Sequence, residues 1–129
     1  MTAGAPDPHS AAVPDSAWEA DERARARGRV EIFNATRPGG LDGWTMDVRQ
    51  YELVRQHILQ TLEDAGPDGM PLKALVETTQ ARFGDDAAFP GGRLRNYCTY
   101  TKVDLEARGL VERLPGSGAQ RVRLRHLAD

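Results

Sequence analysis

The chain has 129 residues, of which 40% are hydrophobic and 28% charged, with a formal net charge of −2; this composition suits one small globular domain with a modest core. No apolar run approaches the roughly 20 residues of a membrane span, and residues 1–15 lack the basic start and apolar run of a secretory signal. Cys98 is the only cysteine, which excludes an internal disulfide and a cysteine-based zinc site. We therefore expect a cytoplasmic protein that makes no membrane contact.

Residues 1–29 are expected to form a flexible N-terminal tail. Residues 1–17 are rich in Ala, Pro, Ser and Asp, and they contain too little apolar surface to offset the entropy lost on ordering. Residues 18–29 contain helix-forming side chains but almost no apolar face, so any helix there is marginal. The folded domain is predicted to begin with a short edge strand over 30–33, followed by turn-forming residues over 34–43.

The first strong helix is predicted to begin after Asp47, whose side chain suits an N-cap. It is predicted to end at Gly66 and Pro67, since glycine suits the C-cap and proline prevents continuation. The apolar side chains between these points recur at helical spacing. They are Val48, Tyr51, Val54, Ile58, Leu59, Leu62 and Ala65. One apolar stripe of this length predicts a helix packed against a core.

Two further helices follow along the chain. Met70 lies in a short extended piece, and Pro71 is well placed to begin the second helix, which ends at Gly84. A third helix is predicted over about residues 93–108, after a loop in which Phe89 is a candidate core anchor, and Gly109 occupies its left-handed cap position. The predicted buried stripes are Leu72, Leu75, Val76, Thr79 and Phe83 in the second helix, and Leu94, Cys98, Thr101 and Leu105 in the third.

Two short alternating segments, 110–114 and 120–127, flank a turn rich in Pro and Gly and predict a β-hairpin. Three helices closed by a β-hairpin, with a very short strand between the first two helices, is the element order of a winged helix. We therefore predict an α+β winged-helix fold, with a domain over residues 30–129 and its core over 47–127. Each helix is too short to be stable alone, so the packing of the three stripes must supply the stability.

Residues 101–113 (TKVDLEARGLVER) resemble the end of the recognition helix and the first wing strand of many bacterial winged-helix regulators. In those proteins a leucine, polar residues and a glycine precede apolar residues that enter the wing. Leu105, Gly109, Leu110 and Val111 occupy those positions here. This resemblance to the winged helix-turn-helix superfamily implies the same fold.

A narrower resemblance covers residues 30–124. It rests on residues 34–39 (NATRPG), Tyr51 with the helix after it, residues 89–92 (FPGG) and residues 104–109 (DLEARG). On these segments the chain is similar to an uncharacterised family of small bacterial proteins with a winged-helix-like fold. In that family the helix after the FPGG loop tends to open with tryptophans, whereas this chain has Asn96, Tyr97 and Cys98. The resemblance implies the fold and assigns no activity.

The sequence contains no arrangement typical of catalysis or of cofactor binding. His9, His57 and His126 have no metal-ligand spacing. The serines lie in the tail or in turns, away from any nucleophile elbow, and the glycines fit no phosphate-loop pattern. Cys98 falls on a buried helix face, where an inert thiol is expected. We therefore predict that the protein is not an enzyme and holds no cofactor or metal.

Basic side chains concentrate in the last third of the chain. Residues 89–127 contain eight basic and three acidic side chains, a local charge of +5. Arg and Asn suit guanine and adenine edges, hydroxyl groups suit phosphates, and arginines alternating along a strand would neutralise phosphates. We therefore predict a transcription-related protein whose partner is double-stranded DNA. The candidate contact residues are Arg93, Arg95, Asn96, Thr99, Tyr100, Lys102, Arg121, Arg123 and Arg125.

A protein-interaction module without DNA binding is the alternative. Glu106 and Ala107 on the outward face of the third helix weaken a groove-binding role, and the turn over 115–119 has no basic residue at its tip. Val103, apolar and outward, indicates that an N-terminal strand, a second copy or another protein packs there. If the partner is a second copy, the homodimer interface would involve Trp44, Tyr51 and residues 30–33.

Overall fold

The computed structural model describes residues 13–89, 93–116 and 118–125, which form four α-helices and two small antiparallel sheets. The helices are α1 (Asp15–Arg25), α2 (Val48–Ala65), α3 (Leu72–Phe83) and α4 (Leu94–Ala107). One sheet pairs β1 (Arg29–Phe33) with β2 (Leu41–Asp47). The other consists of β3 (Met70–Pro71), β4 (Val111–Arg113) and β5 (Arg121–Leu124), with β5 in the centre. The chain is therefore an α+β protein.

The larger core lies between α2, α3, α4 and the three-stranded sheet. Its fully buried side chains are Val54, Ile58, Leu62, Leu75, Cys98, Leu105, Val111 and Val122. Burying an aliphatic side chain of this size contributes about 1.5–3 kcal/mol, so these stripes hold the three helices together. Phe89 is also buried in this core, as predicted. The three predicted helices, the short strand after the first of them and the β4–β5 hairpin are confirmed.

The predicted start of α2 and the predicted end of α4 are confirmed by local contacts. Pro71, which was predicted to begin the second helix, instead ends β3, where it pairs with Arg121 of β5, and α3 begins at Leu72. The carboxylate of Asp47 accepts hydrogen bonds from the backbone N–H groups of Arg49 and Gln50, at 3.0 and 3.1 Å, and so caps α2. Gly109 follows α4 with φ +84°, a conformation that favours glycine. Gly69 has φ +63°, and a Cβ there would lie 2.1 Å from the carbonyl oxygen of Val122, so glycine lets the turn before β3 approach β5.

The N-terminal region differs most from the prediction. Residues 15–25, assigned to the flexible tail, form α1, which packs on the β1–β2 sheet through buried Ala17, Asp21 and Ala24. Two alanines and a carboxylate do not register as an apolar stripe, so the sequence pattern hid this helix. The folded unit therefore begins about fifteen residues before the predicted boundary at residue 30.

Residues 34–43, predicted as turns throughout, end in a strand. A 3₁₀ turn over Pro38–Gly40 leads into β2, which pairs antiparallel with β1. The register shifts between Glu31 and Phe33. Asp42 and Gly43 belong to residue types depleted in strands, so the sequence pattern did not predict a strand at the start of β2. The predicted edge strand is therefore one half of a two-stranded sheet.

Parts of several predictions lie outside the described residues: the tail over 1–12, the end of the FPGG loop at 90–92, and the last strand beyond residue 125. Within the described segments, no helix has the length and apolar character needed to cross a membrane.

Candidate nucleic-acid interface

The helix α4 changes character along its length. Arg93, just before the helix, is exposed, as are Arg95 and Asn96 in its first half, where Thr99 is half-buried and Tyr100 is 40% exposed. Over residues 101–107, every residue except Val103 is buried. The surface that was predicted to face DNA can therefore occupy only the first half of α4 and its immediate surroundings.

The carboxylate of Asp104 is fully buried in the second half of α4. The Tyr51 hydroxyl of α2 donates to Oδ2 at 2.5 Å, and the Phe33 N–H of β1 donates to Oδ1 at 2.8 Å. The Nε of Arg108 lies 3.0 and 2.9 Å from the two oxygens. Burial raises the pKa of Asp104 and that of Tyr51. One buried carboxylate thus joins α4 to α2 and β1.

Arg108 extends this network to α1. Its Nη1 donates to Oδ2 of Asp21 at 3.2 Å, its Nη2 donates to the carbonyl oxygen of Glu31 at 3.1 Å, and its guanidinium lies 4.0 Å from the centroid of the Phe33 ring. Asp21 also accepts a hydrogen bond from Arg25 at 2.9 Å. Burial raises the pKa of Asp21, but the hydrogen bond from Arg25 and the charge of Arg108 outweigh burial, so the pKa is lowered.

A second ionic network shows why Lys102 cannot contact DNA as predicted. Lys102 is 2% exposed, and its Nζ lies 2.7 Å from Oε1 of Glu106 and 2.8 Å from Oε1 of Gln120. The other oxygen of Glu106 accepts from Nε of Arg113 at 2.9 Å. Lys102 was assigned to DNA on its charge, and Glu106 and Ala107 were placed on the outward face. All three are buried: Glu106, one turn after Lys102, pairs with it beside the hairpin, and Ala107 packs with Ala17 and Phe33.

A cleft of about 630 Å³ separates the β1–β2 sheet from α4; we call it the aromatic cleft. Trp44 of β2 and Tyr100 of α4 meet there edge to face, with ring centroids 4.9 Å apart. Arg93 and Asn96 line the same cleft. Its other polar lining residues include Arg37 and Asp42, and Ile32 and Val103 also line it. Val103 and Ile32 of the N-terminal strand β1 therefore line the same cleft.

A second cleft of about 510 Å³, the α3–α4 cleft, lies on the other side of α4. Arg95 and Thr99 line it from α4, and Gln120 lines it from the end of the hairpin turn. The α3 side contributes Lys73 and Glu77. The candidate residues of α4 that are not buried are therefore divided between these two clefts: Asn96 and Tyr100 line the aromatic cleft, and Arg95 and Thr99 line the α3–α4 cleft.

The arginines around β5 are also divided. Arg121 donates through Nη2 to the carbonyl oxygens of Asp68 and Gly69, at 3.1 and 3.3 Å. Arg123 donates to the carbonyl oxygen of Pro67 at 3.2 Å and pairs with Glu112 at 2.7 Å. Both therefore lie against the turn before β3, as two side chains of one strand face should. Arg125 lies beyond the end of β5, on a third cleft lined by α2 residues.

Other reactive side chains are accounted for by packing. His57 is half-buried with Nε2 3.2 Å from Oγ1 of Thr78, and burial lowers its pKa. Burial likewise raises the pKa of the Cys98 thiol, which contacts Thr79. Among the residues that the structure describes, no group of three or more His, Cys, Asp or Glu side chains is placed to hold a metal ion.

The predicted dimer surface is occupied within one chain. Tyr51, Val30, Ile32 and Phe33 have no exposed surface, because α1, α2 and α4 cover them, so a second copy cannot reach them. Only Glu31 and Trp44 of that set are half-buried. The sequence analysis did not identify Asp104 and Arg108 as a buried ion pair. Their spacing of four residues in the DLEARG segment is nevertheless that of a helical ion pair.

Residues 29–122 match a family of unknown function, DUF6958. No curated protein matches the chain, and no solved structure does.

Proposed function

The chain belongs to DUF6958, a family of unknown function, and we propose that it is a winged-helix protein that binds duplex DNA in a transcription-related role. In this proposal α2, α3 and α4 are the three helices of the winged helix and the β4–β5 hairpin is its wing. The protein acts by binding and has no catalytic activity of its own.

The observation that carries this proposal is the exposed first half of α4. Arg93, Arg95 and Asn96 form no side-chain hydrogen bond or ion pair with another described residue. The sequence has no acidic residue between Asp86 and Asp104, so nothing on this part of the helix opposes the approach of a phosphate. Exposed cations with no protein partner are available to pair with phosphates, and this pairing releases the counterions condensed on the DNA.

The proposed contacts follow from this placement. α4 would enter the major groove, where Arg95 and Asn96 have the side chains suited to guanine and adenine edges. Thr99 would contact a phosphate. Arg121 and Arg123 would contact the DNA backbone. They would use the guanidinium nitrogens that are not already bonded to the carbonyl oxygens of the 67–69 turn. Lys102 has no part in the interface.

The first test is binding of the purified protein to a fluorescent random-sequence duplex, measured by anisotropy at low and then physiological salt. We expect binding at low salt with an affinity that falls steeply as salt rises, because phosphate contacts release counterions. No binding at low salt would refute DNA binding.

Substitutions then locate the surface. On a selected duplex, Arg95→Ala should weaken binding by about 5- to 150-fold and relax base preference. Arg121→Ala and Arg123→Ala should weaken binding evenly across sequences and flatten the salt dependence. Arg23→Ala removes an exposed arginine on α1 and should leave affinity unchanged; an equal loss in this control would show that only total charge matters.

A protein-interaction module is the second candidate, favoured by the exposed Tyr100 and the half-buried Trp44 beside α4. Aromatic residues of this kind are enriched in protein interfaces. The pairing of Arg123 with Glu112 also leaves less charge for phosphate than the sequence indicates. Retention of a protein partner at high salt, together with no affinity for duplex DNA, would favour this candidate.

A further inference from the structure

One wall of the aromatic cleft is fixed by a single carboxylate. Oδ2 of Asp42 accepts a hydrogen bond from the indole Nε1 of Trp44 at 2.7 Å, and Oδ1 accepts from the amide of Asn34 at 3.0 Å. Nε of Arg37 lies 3.5 Å from the same Oδ1. Asn34 in turn accepts from the N–H and hydroxyl of Thr36. The Trp44 ring is therefore held in place before any ligand arrives, which lowers the entropy lost on binding.

The opposite wall, on α4, offers groups that are not engaged. Tyr100 is 40% exposed although its ring meets Trp44 at 72°, so part of an aromatic surface faces the cleft opening. Arg93 and the Asn96 amide form no side-chain hydrogen bond with other described residues. The guanidinium groups of Arg37 and Arg93 and the carboxylate of Asp42 line the cleft, so its formal charge is +1. Arg37 lies beside Asp42.

These features point to one class of ligand. An aromatic surface binds a planar ring by stacking, an amide pairs with the edge of such a ring, and a guanidinium pairs with a phosphate. The volume of about 630 Å³ lies within the range of small-ligand sites. We propose that the aromatic cleft binds a nucleotide, with its base against Tyr100 and Trp44, its base edge on Asn96 and its phosphate on Arg93.

Adenine is the favoured base, because the asparagine amide can donate to N7 and accept from the N6 amino group of adenine at once. The nucleotide could be a free mononucleotide or one nucleotide of a nucleic-acid strand, since both present the same ring and phosphate. Arg95 and Thr99 line the other cleft, so nucleotide binding here does not require duplex binding through α4.

The test is calorimetric titration of the whole chain with AMP, GMP, CMP and UMP, and with adenosine and inorganic phosphate as part-ligands. We expect saturable binding of AMP, at least about tenfold tighter than binding of adenosine or phosphate, because a charge-assisted phosphate contact adds to stacking. The Trp18→Phe variant, in which Trp44 is the remaining tryptophan, should report the same binding as a change in Trp44 fluorescence.

Three exposed residues at the start of α4, including its N-cap residue Arg93, supply matched variants. Arg93→Ala should abolish most of the advantage of AMP over adenosine, and Asn96→Ala should reduce the preference for AMP over the other nucleotides. Arg95→Ala, on the other side of the helix, should bind AMP as the wild type does. Each variant must keep the wild-type melting temperature, which is expected because all three side chains are exposed.

Competition with single-stranded oligo(dA) distinguishes the two ligand sources. Tighter binding of oligo(dA) than of AMP, with the same loss in Arg93→Ala, would assign the cleft to a strand; binding of AMP alone would assign it to a free nucleotide. Absence of saturable binding by every mononucleotide up to about 10 mM, and by oligo(dA), would overturn the proposal. Duplex binding is scored separately through Arg95→Ala, so failure of one proposal does not imply failure of the other.

Discussion

Arg95, near the start of α4, is exposed and pairs with no other described side chain, whereas Arg108, just past the end of the same helix, is enclosed by Asp104, Asp21 and the Phe33 ring. An arginine that is desolvated must recover its hydration energy from protein partners, and removing a partner then leaves a buried charge. An exposed arginine keeps its hydration and contributes little to stability. The two ends of α4 thus separate cations that hold the fold from cations that can serve a ligand.

The same contrast assigns the DLEARG segment a role. Asp104 and Arg108 face α1, α2 and β1, while Leu105 enters the larger core and Glu106 faces the hairpin. Successive residues on one helical turn therefore secure α4 to nearly every other element. The DLEARG segment is thus a structural junction in this chain, and the DNA-binding proposal draws instead on the residues before it.

The largest expected effect comes from breaking this junction. Arg108→Ala removes the cation paired with Asp104 and leaves Asp21 with Arg25 alone, and it should lower the free energy of unfolding by about 3–5 kcal/mol, the usual result of leaving a buried charge without its counter-charge. Urea denaturation monitored by circular dichroism measures the loss. Arg23→Ala, an exposed arginine on α1, is the control and should change stability by less than about 0.5 kcal/mol.

A loss below about 1 kcal/mol for Arg108→Ala would mean that solvent reaches Asp104 in the native state and that the network contributes little. The comparison of the two helix ends would then fail, because Arg108 would behave as an ordinary surface arginine.

The second network should be easier to replace. Lys102→Met keeps a long side chain but leaves Glu106 with Arg113 as its remaining cation of the network, and we expect a loss of about 1–3 kcal/mol. The double variant Lys102→Met, Glu106→Leu removes both buried charges, and Arg113, 29% exposed in its side chain, can be solvated instead. Its stability should return to within about 1 kcal/mol of the wild type.

Thermal and urea unfolding of the single and double variants measure this coupling. A double variant that is less stable than Lys102→Met would show that the charges fix the position of the hairpin rather than merely compensate each other. Because Lys102 is buried, the folded single variant should bind duplex DNA with wild-type affinity, in contrast to Arg95→Ala.

The contrast also explains what sequence reasoning could and could not provide. The helices α2, α3 and α4 and the β4–β5 hairpin were predictable because their buried residues are aliphatic and recur at the period of the element. α1 was not, because Ala17, Asp21 and Ala24 bury little apolar surface, and its attachment depends on Asp21 meeting Arg108 from the far end of the chain. Pairing between residues 87 positions apart leaves no local signature.

The candidate site was predictable only in its first half. Helical periodicity placed Arg95, Asn96 and Thr99 opposite the core correctly. Lys102 was assigned to the surface by its charge, although the interleaved spacings of Lys102 with Glu106 and of Asp104 with Arg108 were available as a sign of paired, buried groups. The aromatic cleft could not be foreseen, since β2 begins in a segment that reads as turns, and Trp44 was assigned to a homodimer interface instead of to a strand.

His57 extends the comparison to a side chain that is half-buried and has no carboxylate partner in the described structure. Burial, and then the nearby positive charge of Arg82, lower its pKa in the folded state. As pH falls below about 6.5, the unfolded chain takes up a proton before the folded chain does. The contribution of His57 to stability is therefore complete above that pH and is lost as the pH falls below it.

His57→Gln keeps an amide that can contact Thr78 and removes the titration. The melting temperature of the wild type should thus fall relative to that of the variant between about pH 7.5 and pH 5, by on the order of 2 °C. A constant difference over this range would mean that burial does not lower the pKa of His57 and that its ring is open to solvent in the folded state.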